Sequence, residues 1–293
     1  MLKLACIPAY NEEATISDVI KRAKAHVDMV VVCDDGSTDN TTKKAKEAGA
    51  CVLKHKRNLG KGVAMKSLFE YAKKSTADII VTIDGDGQFM PEEIPKLLFP
   101  ILERKSDIVI GYRFDKETEM PSYRMIGNKV LDKMTNIASD LPFRDTQSGF
   151  RAYSKKAIEL IEFKSEGFGV DAEILIDASQ KGLRITEEKI TVLYNTGSKT
   201  STKNPVSHSF EVVSSLVELI AIRHPLRYLG IPGLVLMIIG VLFAVAVISL
   251  FNETRYFSIP STLVSLGSIL IGLILLLMSV VLFSISKSIR RGM

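Results

Sequence analysis

Two stretches of this chain carry no charge at all, Tyr228 to Asn252 and Tyr256 to Ser286, and only Glu253-Thr-Arg255 separates them. Each exceeds the ~20 apolar residues that an α-helix needs to cross the hydrocarbon of a bilayer. A buried core helix is a poor rival, because two such segments in succession are too long and too apolar for a domain interior. The sequence therefore predicts a hairpin of two transmembrane helices, over 229–251 and 260–285. Arg223, His224 and Arg227 precede the first, and Lys287, Arg290 and Arg291 follow the second. By the positive-inside rule both flanks, both termini and the globular part belong in the cytoplasm.

The hairpin also accounts for the charge. Most of the net +5 falls after residue 228, where Arg255, Lys287, Arg290 and Arg291 face only Glu253. What remains is near neutral, which argues against nucleic acid as a partner, since that would need a concentrated basic face. Cys6, Cys33 and Cys51 are odd in number and lack Cys-x-x-Cys spacing, so they read as buried free thiols of a reducing compartment. Met1-Leu-Lys-Leu-Ala reaches Pro8 and Asn11 too soon for the apolar core of a signal peptide.

Ahead of the hairpin, apolar runs alternate with helical patterns. Leu2 to Ile7, Met29 to Cys33, Cys51 to Lys54, Ile79 to Ile83 and Asp107 to Gly111 read as buried strands. Between them, Asn11 offers an N-cap for a helix carrying Ile16, Val19, Ile20 and Ala23, and a second helix starts near Thr38 or Asp39 and is closed by Gly49. Asn58-Leu-Gly60-Lys61-Gly62 leads into a third helix, and Pro91 opens a fourth with Ile94, Leu97, Leu98 and Ile101 on one face. Strands alternating with helices of this length predict βαβ units and a mainly parallel sheet.

Ligands bind such sheets beyond the carboxyl ends of the strands. The run Asp78-Ile-Ile-Val-Thr-Ile-Asp84-Gly-Asp86-Gly-Gln88 ends there in two carboxylates one residue apart. In extended backbone Asp84 and Asp86 point to one side, and Gln88 continues that line. Converging carboxylates repel unless a cation lies between them, and hard oxygen ligands suit Mg²⁺ or Mn²⁺ shared with substrate phosphates. An exposed acidic turn would look the same in isolation. Two further strand ends carry polar clusters, however, Ala9-Tyr10-Asn11-Glu12 and Asp34-Asp35-Gly36-Ser37, and all three would line one cleft. Gly60-Lys61-Gly62 lacks the order of a phosphate-binding P-loop and is expected to lend backbone N–H groups to that cleft.

Beyond Arg113 the pattern changes. A helix from Tyr123 places Arg124, Asn128 and Asp132 at successive i, i+4 positions, which alone would be a solvated stripe. Asp145-Thr-Gln147-Ser148-Gly149-Phe150-Arg151 leads into a short strand, Gly167-Phe-Gly169-Val-Asp171-Ala-Glu173 begins another helix, and Ile185 to Tyr194 give a last strand. The polar loop from Asn195 to Pro205 is a linker or a substrate-ordered lid. Phe210, Val213, Val217 and Ile220 then recur at helical spacing, on a helix that lies in the membrane interface or packs on the globular part.

Pro8-Ala9-Tyr10-Asn11-Glu12, Asp34-Asp35-Gly36-Ser37, Asp84-Gly-Asp86-Gly-Gln88, Gly111-Tyr-Arg113, Tyr123-Arg124 and Ser148-Gly149-Phe150 together resemble the motifs of family 2 glycosyltransferases, in the dolichol-phosphate mannose or glucose synthase branch. The resemblance spans about residues 1–205. It implies a GT-A, Rossmann-like α/β domain over 1–205, an interfacial region over 206–228 and the transmembrane hairpin. It implies inverting transfer of a sugar from GDP-mannose or a UDP-hexose to a polyprenyl (dolichyl) phosphate at the cytoplasmic membrane face. By the same resemblance Pro8, Ala9, Tyr10, Glu12, Asp34, Asp35 and Lys61 would hold the nucleotide, with Asp35 on the base. Asp84 and Asp86 would be catalytic and, with Gln88, form the site for Mg²⁺ or Mn²⁺. Arg113, Arg124 and Asn128 would hold the acceptor phosphate, and Gln147, Ser148, Ser198 and Lys199 an acceptor loop whose usual signature is only partly kept.

Three other readings compete. A processive polysaccharide synthase would need a Gln-x-x-Arg-Trp motif, and this chain has no Trp. A transferase acting on diacylglycerol would have less use for Arg113 and Arg124. A membrane-anchored binding module without turnover would have no need of Asp84, Asp86 and Gln88.

Overall fold

The computed structural model describes residues 1–113, 132–137, 139, 142–164, 169–193 and 225–291. The chain divides into two compact units, 1–216 and 217–293.

In the first unit the apolar runs form β1 (Lys3–Ala9), β2 (Met29–Asp34), β3 (Cys51–Lys54), β4 (Ile79–Thr82) and β5 (Ile108–Tyr112), followed by β6 (Arg151–Ser154) and β7 (Ile185–Lys189). They make one seven-stranded sheet in the order β3-β2-β1-β4-β6-β5-β7. β1 pairs in parallel with β2 and β4, β2 with β3, and β5 with β7. β6 runs antiparallel to both β4 and β5. That reversal matters for the site, because the loop entering β6 arrives at the edge where β1, β2, β4 and β5 end.

Side chains alternate across the sheet, and both faces are covered. Ala5, Ile7 and Ala9 of β1 and Val30 and Val32 of β2 pack under α1 (Ile16–Ala23), α2 (Thr41–Glu47) and α4 (Ile94–Leu102). Leu4, Cys6, Val31 and Cys33 pack on the other face with α3 (Lys61–Lys74), α5 (Lys155–Leu160) and α6 (Val170–Gln180). Cys6 and Cys33 are free thiols whose burial pushes each up to about 12, so they serve as small core side chains.

Three local expectations change. Asn11 does not cap α1: its φ is 57°, a left-handed conformation that Asn tolerates, and its side chain accepts a hydrogen bond from the Thr38 amide. The helix starts at Ile16, after a turn closed on the Glu12 carbonyl. The second helix starts at Thr41, where Asp39 accepts from the Thr41 amide. The last strand ends at Lys189, and Val192 then makes an isolated antiparallel bridge to Phe89.

In the second unit a π-helical turn, Leu226–Gly230, runs into α7 (Ile231–Thr254), and α8 (Ile259–Arg291) follows. The segments Leu226–Thr254 and Ile259–Ile285 are long and apolar enough to cross a membrane, and only 11% of the most apolar window of each is buried. A soluble core helix would be buried over most of its length. The two helices pack antiparallel through small residues. A Cβ on Gly233 would lie 2.8 Å from the Gly272 carbonyl, and the Ser265 hydroxyl donates to the Gly240 carbonyl at 2.8 Å. Such close approach through small residues is a packing that also suits helices in lipid, where the hydrophobic drive between them is lost.

Candidate active site

The ends of β1 and β2 are built by their own polar residues. Pro8 and Ala9 close β1, and the Ala9 carbonyl accepts from the Asp35 amide at 2.9 Å. Tyr10 follows, half-buried, and then Glu12, whose amide donates to the Thr41 hydroxyl at 2.8 Å. The Asp34 carboxylate is fully buried and accepts from the Ser37 amide and the Thr42 hydroxyl. Asp35 lies 2.7 Å from His55 Nδ1 and accepts from the Leu59 and Gly60 amides at 3.0 and 2.7 Å. Gly36 allows the two loops to meet, since a Cβ there would lie 2.3 Å from the Arg57 carbonyl carbon. Two amides of this loop, those of Leu59 and Gly60, are therefore engaged by Asp35, and Lys61 turns its side chain to Asp84.

β4 stops at Thr82, so the extended line expected through Asp84, Asp86 and Gln88 is not formed. Residues 84–88 turn instead. Gly87 has a φ of 73°, and Asp86 Oδ1 accepts from the Gln88 amide at 2.9 Å. The carboxylates converge through this turn rather than through strand alternation. Asp84 Oδ1 is 3.1 Å from Lys61 Nζ, which also lies 3.0 Å from Asp171 Oδ2 in the first turn of α6. Burial pulls the Lys61 ammonium down, but Asp171 first and Asp84 next more than offset it, so the group stays charged.

Gly149, in the loop entering β6, is packed directly on Asp84. A Cβ there would lie 2.4 Å from Asp84 Oδ2. Thr82 fixes that approach from β4 by donating its hydroxyl to the Gly149 carbonyl at 2.9 Å. Gly149→Ala is therefore expected to displace the Asp84 carboxylate and lower turnover at least about tenfold, with the thermal midpoint little changed. Wild-type kinetics of a folded variant would show that the position of Asp84 is not critical.

Arg113, beyond β5, forks onto buried Asp145, with Nε 2.6 Å from Oδ2 and Nη2 2.8 Å from Oδ1. Gln147 donates to the Thr146 hydroxyl at 3.0 Å, and the buried Ser148 hydroxyl accepts from the Phe150 amide at 3.4 Å. Asp132 is buried as well, holding the amide and hydroxyl of Thr146 at 2.7 Å, and burial pushes it up to about 6. Arg124, Asn128, Ser198 and Lys199 lie outside the described residues, as do the Asn195–Pro205 loop and most of 206–228.

Site residues that the sequence did not put forward as candidates are Asp171, Thr82 and Arg151, while Gly149 stood in the Ser148-Gly149-Phe150 motif without a role. Arg151 is fully buried and joins two segments, with Nη1 2.7 Å from the Asp171 carbonyl and Nη2 2.7 Å from the Thr146 carbonyl. Lone residues of common types gave no spacing signal. The antiparallel placement of β6 brings Gly149 and Arg151 to this edge, where Thr82 ends β4 and Asp171 opens α6.

Three carboxyl groups crowd the cleft. Burial, then Asp86, Asp84 and Asp39, push Glu12 up to about 8. Burial, then Asp84, push Asp86 up to about 6, against the Gln88 amide, Lys61 and Arg113. Such an excess of buried negative charge fits a cation. Among the described residues no three His, Cys, Asp or Glu side chains cluster closely enough to enclose an ion. An oxygen-ligated Mg²⁺ or Mn²⁺ taking one or two carboxylates and completing its shell from substrate phosphates fits both facts. Because the native Glu12 pKa is raised, stability in the absence of metal should fall as pH rises from about 4.5 towards 8. A cation favours the carboxylate forms, so binding should release protons at pH 7. Calorimetric titrations with Mn²⁺ in two buffers of different ionisation enthalpy check this, and identical apparent heats would contradict it.

The sheet order, the helices on both faces and the acidic turn beyond the fourth strand define a GT-A, Rossmann-like domain. The chain belongs to glycosyl transferase family 2, whose sequence profile matches residues 5–161, and it is a glycosyltransferase. It is 33% identical over 211 residues to the UDP-N-acetylglucosamine–dolichyl-phosphate N-acetylglucosaminyltransferase of Methanococcus voltae, covering 64% of this chain and 84% of that one. Over 187 residues it is 33% identical to the dolichol-phosphate mannosyltransferase of Pyrococcus furiosus, covering 58% of this chain and 51% of that one. Glucosyl-3-phosphoglycerate synthase of Mycobacterium tuberculosis, solved with Mn²⁺, UDP and phosphoglyceric acid, superposes with a TM-score of 0.59 at 23% identity, over 75% of this chain and 78% of its own. At that identity the likeness establishes the fold alone.

Proposed function

We propose that the protein transfers one sugar from a nucleotide diphosphate-sugar to a polyprenyl phosphate at the cytoplasmic face of a membrane, with inversion at the anomeric carbon. The observation that carries this is the crowding of Glu12, Asp84 and Asp86 beside a half-buried, charged Lys61, in a chain that also has two helices able to cross a bilayer. Excess carboxylate calls for a cation and a diphosphate, and the hairpin tethers the domain where a lipid phosphate head surfaces. The names of the Methanococcus and Pyrococcus relatives supply the lipid class.

In this reading a phosphate oxygen of the acceptor attacks the anomeric carbon from the side opposite the diphosphate. The carbon–oxygen bond to the nucleotide breaks, and its electron pair leaves on the β-phosphate. The acceptor is already an anion at neutral pH, so it needs no strong base. Asp86 and Gln88 would hold Mg²⁺ or Mn²⁺, with Asp84 beside the donor sugar. Bound there, the ion would act as a Lewis acid towards the departing diphosphate. Lys61 reaches the same region and adds a fixed positive charge. Pro8, Tyr10, Glu12 and Asp35 line the nucleotide side, with Asp34 shaping its loop. Arg113, Arg124 and Asn128 would draw in the acceptor phosphate, for which a planar guanidinium suits two oxygens at once. The test is release of nucleoside diphosphate by the full chain in membranes, using a panel of nucleotide sugars with and without polyprenyl phosphate. Release that never depends on polyprenyl phosphate would reject the acceptor assignment.

A further inference from the structure

We infer that Asp171 is a positioning residue, which fixes the Lys61 ammonium beside Asp84 and keeps it there when a diphosphate enters. This deepens the glycosyl-transfer reading and rests on it. Lys61 Nζ lies between two carboxylates, 3.1 Å from Asp84 Oδ1 and 3.0 Å from Asp171 Oδ2. The two differ in surroundings: the Asp84 side chain is 28% exposed and Asp171 only 6%. Asp84 therefore faces the cleft, where a donor and its cation would compete for it, while Asp171 stays inside.

A lysine stem has many rotamers, and one partly exposed partner does not hold it in a single position. Asp171 is itself held, because its carbonyl accepts from Arg151 Nη1 and the other arm of that guanidinium holds the Thr146 carbonyl. The loop from Thr146 carries Gly149 onto Asp84. The contacts close a ring from Asp84 through Lys61, Asp171, Arg151 and the 146–149 loop back to Asp84. Within it, Asp171 is the anchor whose carboxylate is almost wholly withdrawn from solvent. When Asp84 turns to the donor, Lys61 remains tethered, and its protons point at the oxygens on which the leaving group gathers charge.

A residue that merely packs the start of α6 would tolerate Asp171→Asn, which keeps shape and hydrogen-bonding capacity. The experiment is a double-mutant cycle on the full chain in detergent with Mg²⁺, comparing wild type, Asp171→Asn, Lys61→Met and the double variant. Affinity for UDP and for GDP is measured by calorimetry, and kcat and KM with the nucleotide sugar and polyprenyl phosphate that support turnover. Asp171→Asn is expected to weaken binding of whichever nucleotide binds, and to lower kcat, each by about tenfold, with the lipid KM unchanged. In the Lys61→Met background it should change neither by more than about twofold, because its effect runs through Lys61. Lys61→Gln replaces Lys61→Met if circular dichroism shows the latter unfolded. A neutral Asp171→Asn, or a tenfold loss that persists without Lys61, would overturn the proposal. If the wild type binds nucleotide yet glycosylates no lipid, the functional reading fails while the binding cycle still judges Asp171.

Discussion

Replacing Asp86 by Asn is expected to lower sugar transfer by on the order of a thousandfold while leaving the protein folded. The substitution keeps the oxygen that accepts from the Gln88 amide, so the turn over residues 84–88 retains its closing hydrogen bond. It removes the charge that would hold a divalent cation against the departing diphosphate. Loss of one such electrostatic element costs about 3–4 kcal/mol of transition-state stabilisation. The measurement is single-turnover transfer at saturating donor and Mn²⁺, with circular dichroism as the control for folding. A rate within about tenfold of the wild type would mean that the cation is held elsewhere or is not needed.

Arg151→Met is expected to destabilise the first unit by roughly 2–6 kcal/mol, because it removes a charged donor from two buried carbonyls at once, at about 1–3 kcal/mol each. Replacing a buried charge with an apolar side chain is often harmless when its partners go with it. Here the partners are the Asp171 and Thr146 carbonyls, which remain. For a unit of this size that corresponds to a fall in thermal midpoint on the order of 10 °C, followed on the full chain in detergent. An unchanged midpoint would mean that the loop finds other donors.

The sheet was legible because five strands of the first unit are continuous apolar runs, and fully covered strands carry their signal in composition. Asp84 and Asp86 were legible as a pair at a strand end, but their geometry was not. The reading assumed extended backbone, whereas Asp86 and the left-handed Gly87 make a turn. The cap assigned to Asn11 failed for a related reason, since an asparagine that begins a helix and one that closes a left-handed turn have the same letter. Asp171 and Arg151 carried no signal because nothing local to them is unusual. The meaning of Arg151 comes from β6 running against its neighbours, which brings residues 146–151 to the carboxyl edge, and that of Asp171 from its contacts with Arg151 and Lys61 there. Asp34 and Asp35 were read as ligand-facing, and in the fold both carboxylates hold protein groups as well.

The central claim is that one sugar passes from a nucleotide diphosphate to a lipid phosphate under the direction of the Asp84–Asp86 cleft. It is tested most directly by mass spectrometry of the lipid after incubating the purified full chain with polyprenyl phosphate, diacylglycerol, a nucleotide sugar and Mg²⁺ or Mn²⁺. The account predicts polyprenyl phosphate heavier by a single sugar residue, one nucleoside diphosphate released for each, and no product when EDTA is present. Glycosylated diacylglycerol with the polyprenyl phosphate untouched, or full activity in excess chelator, would contradict it.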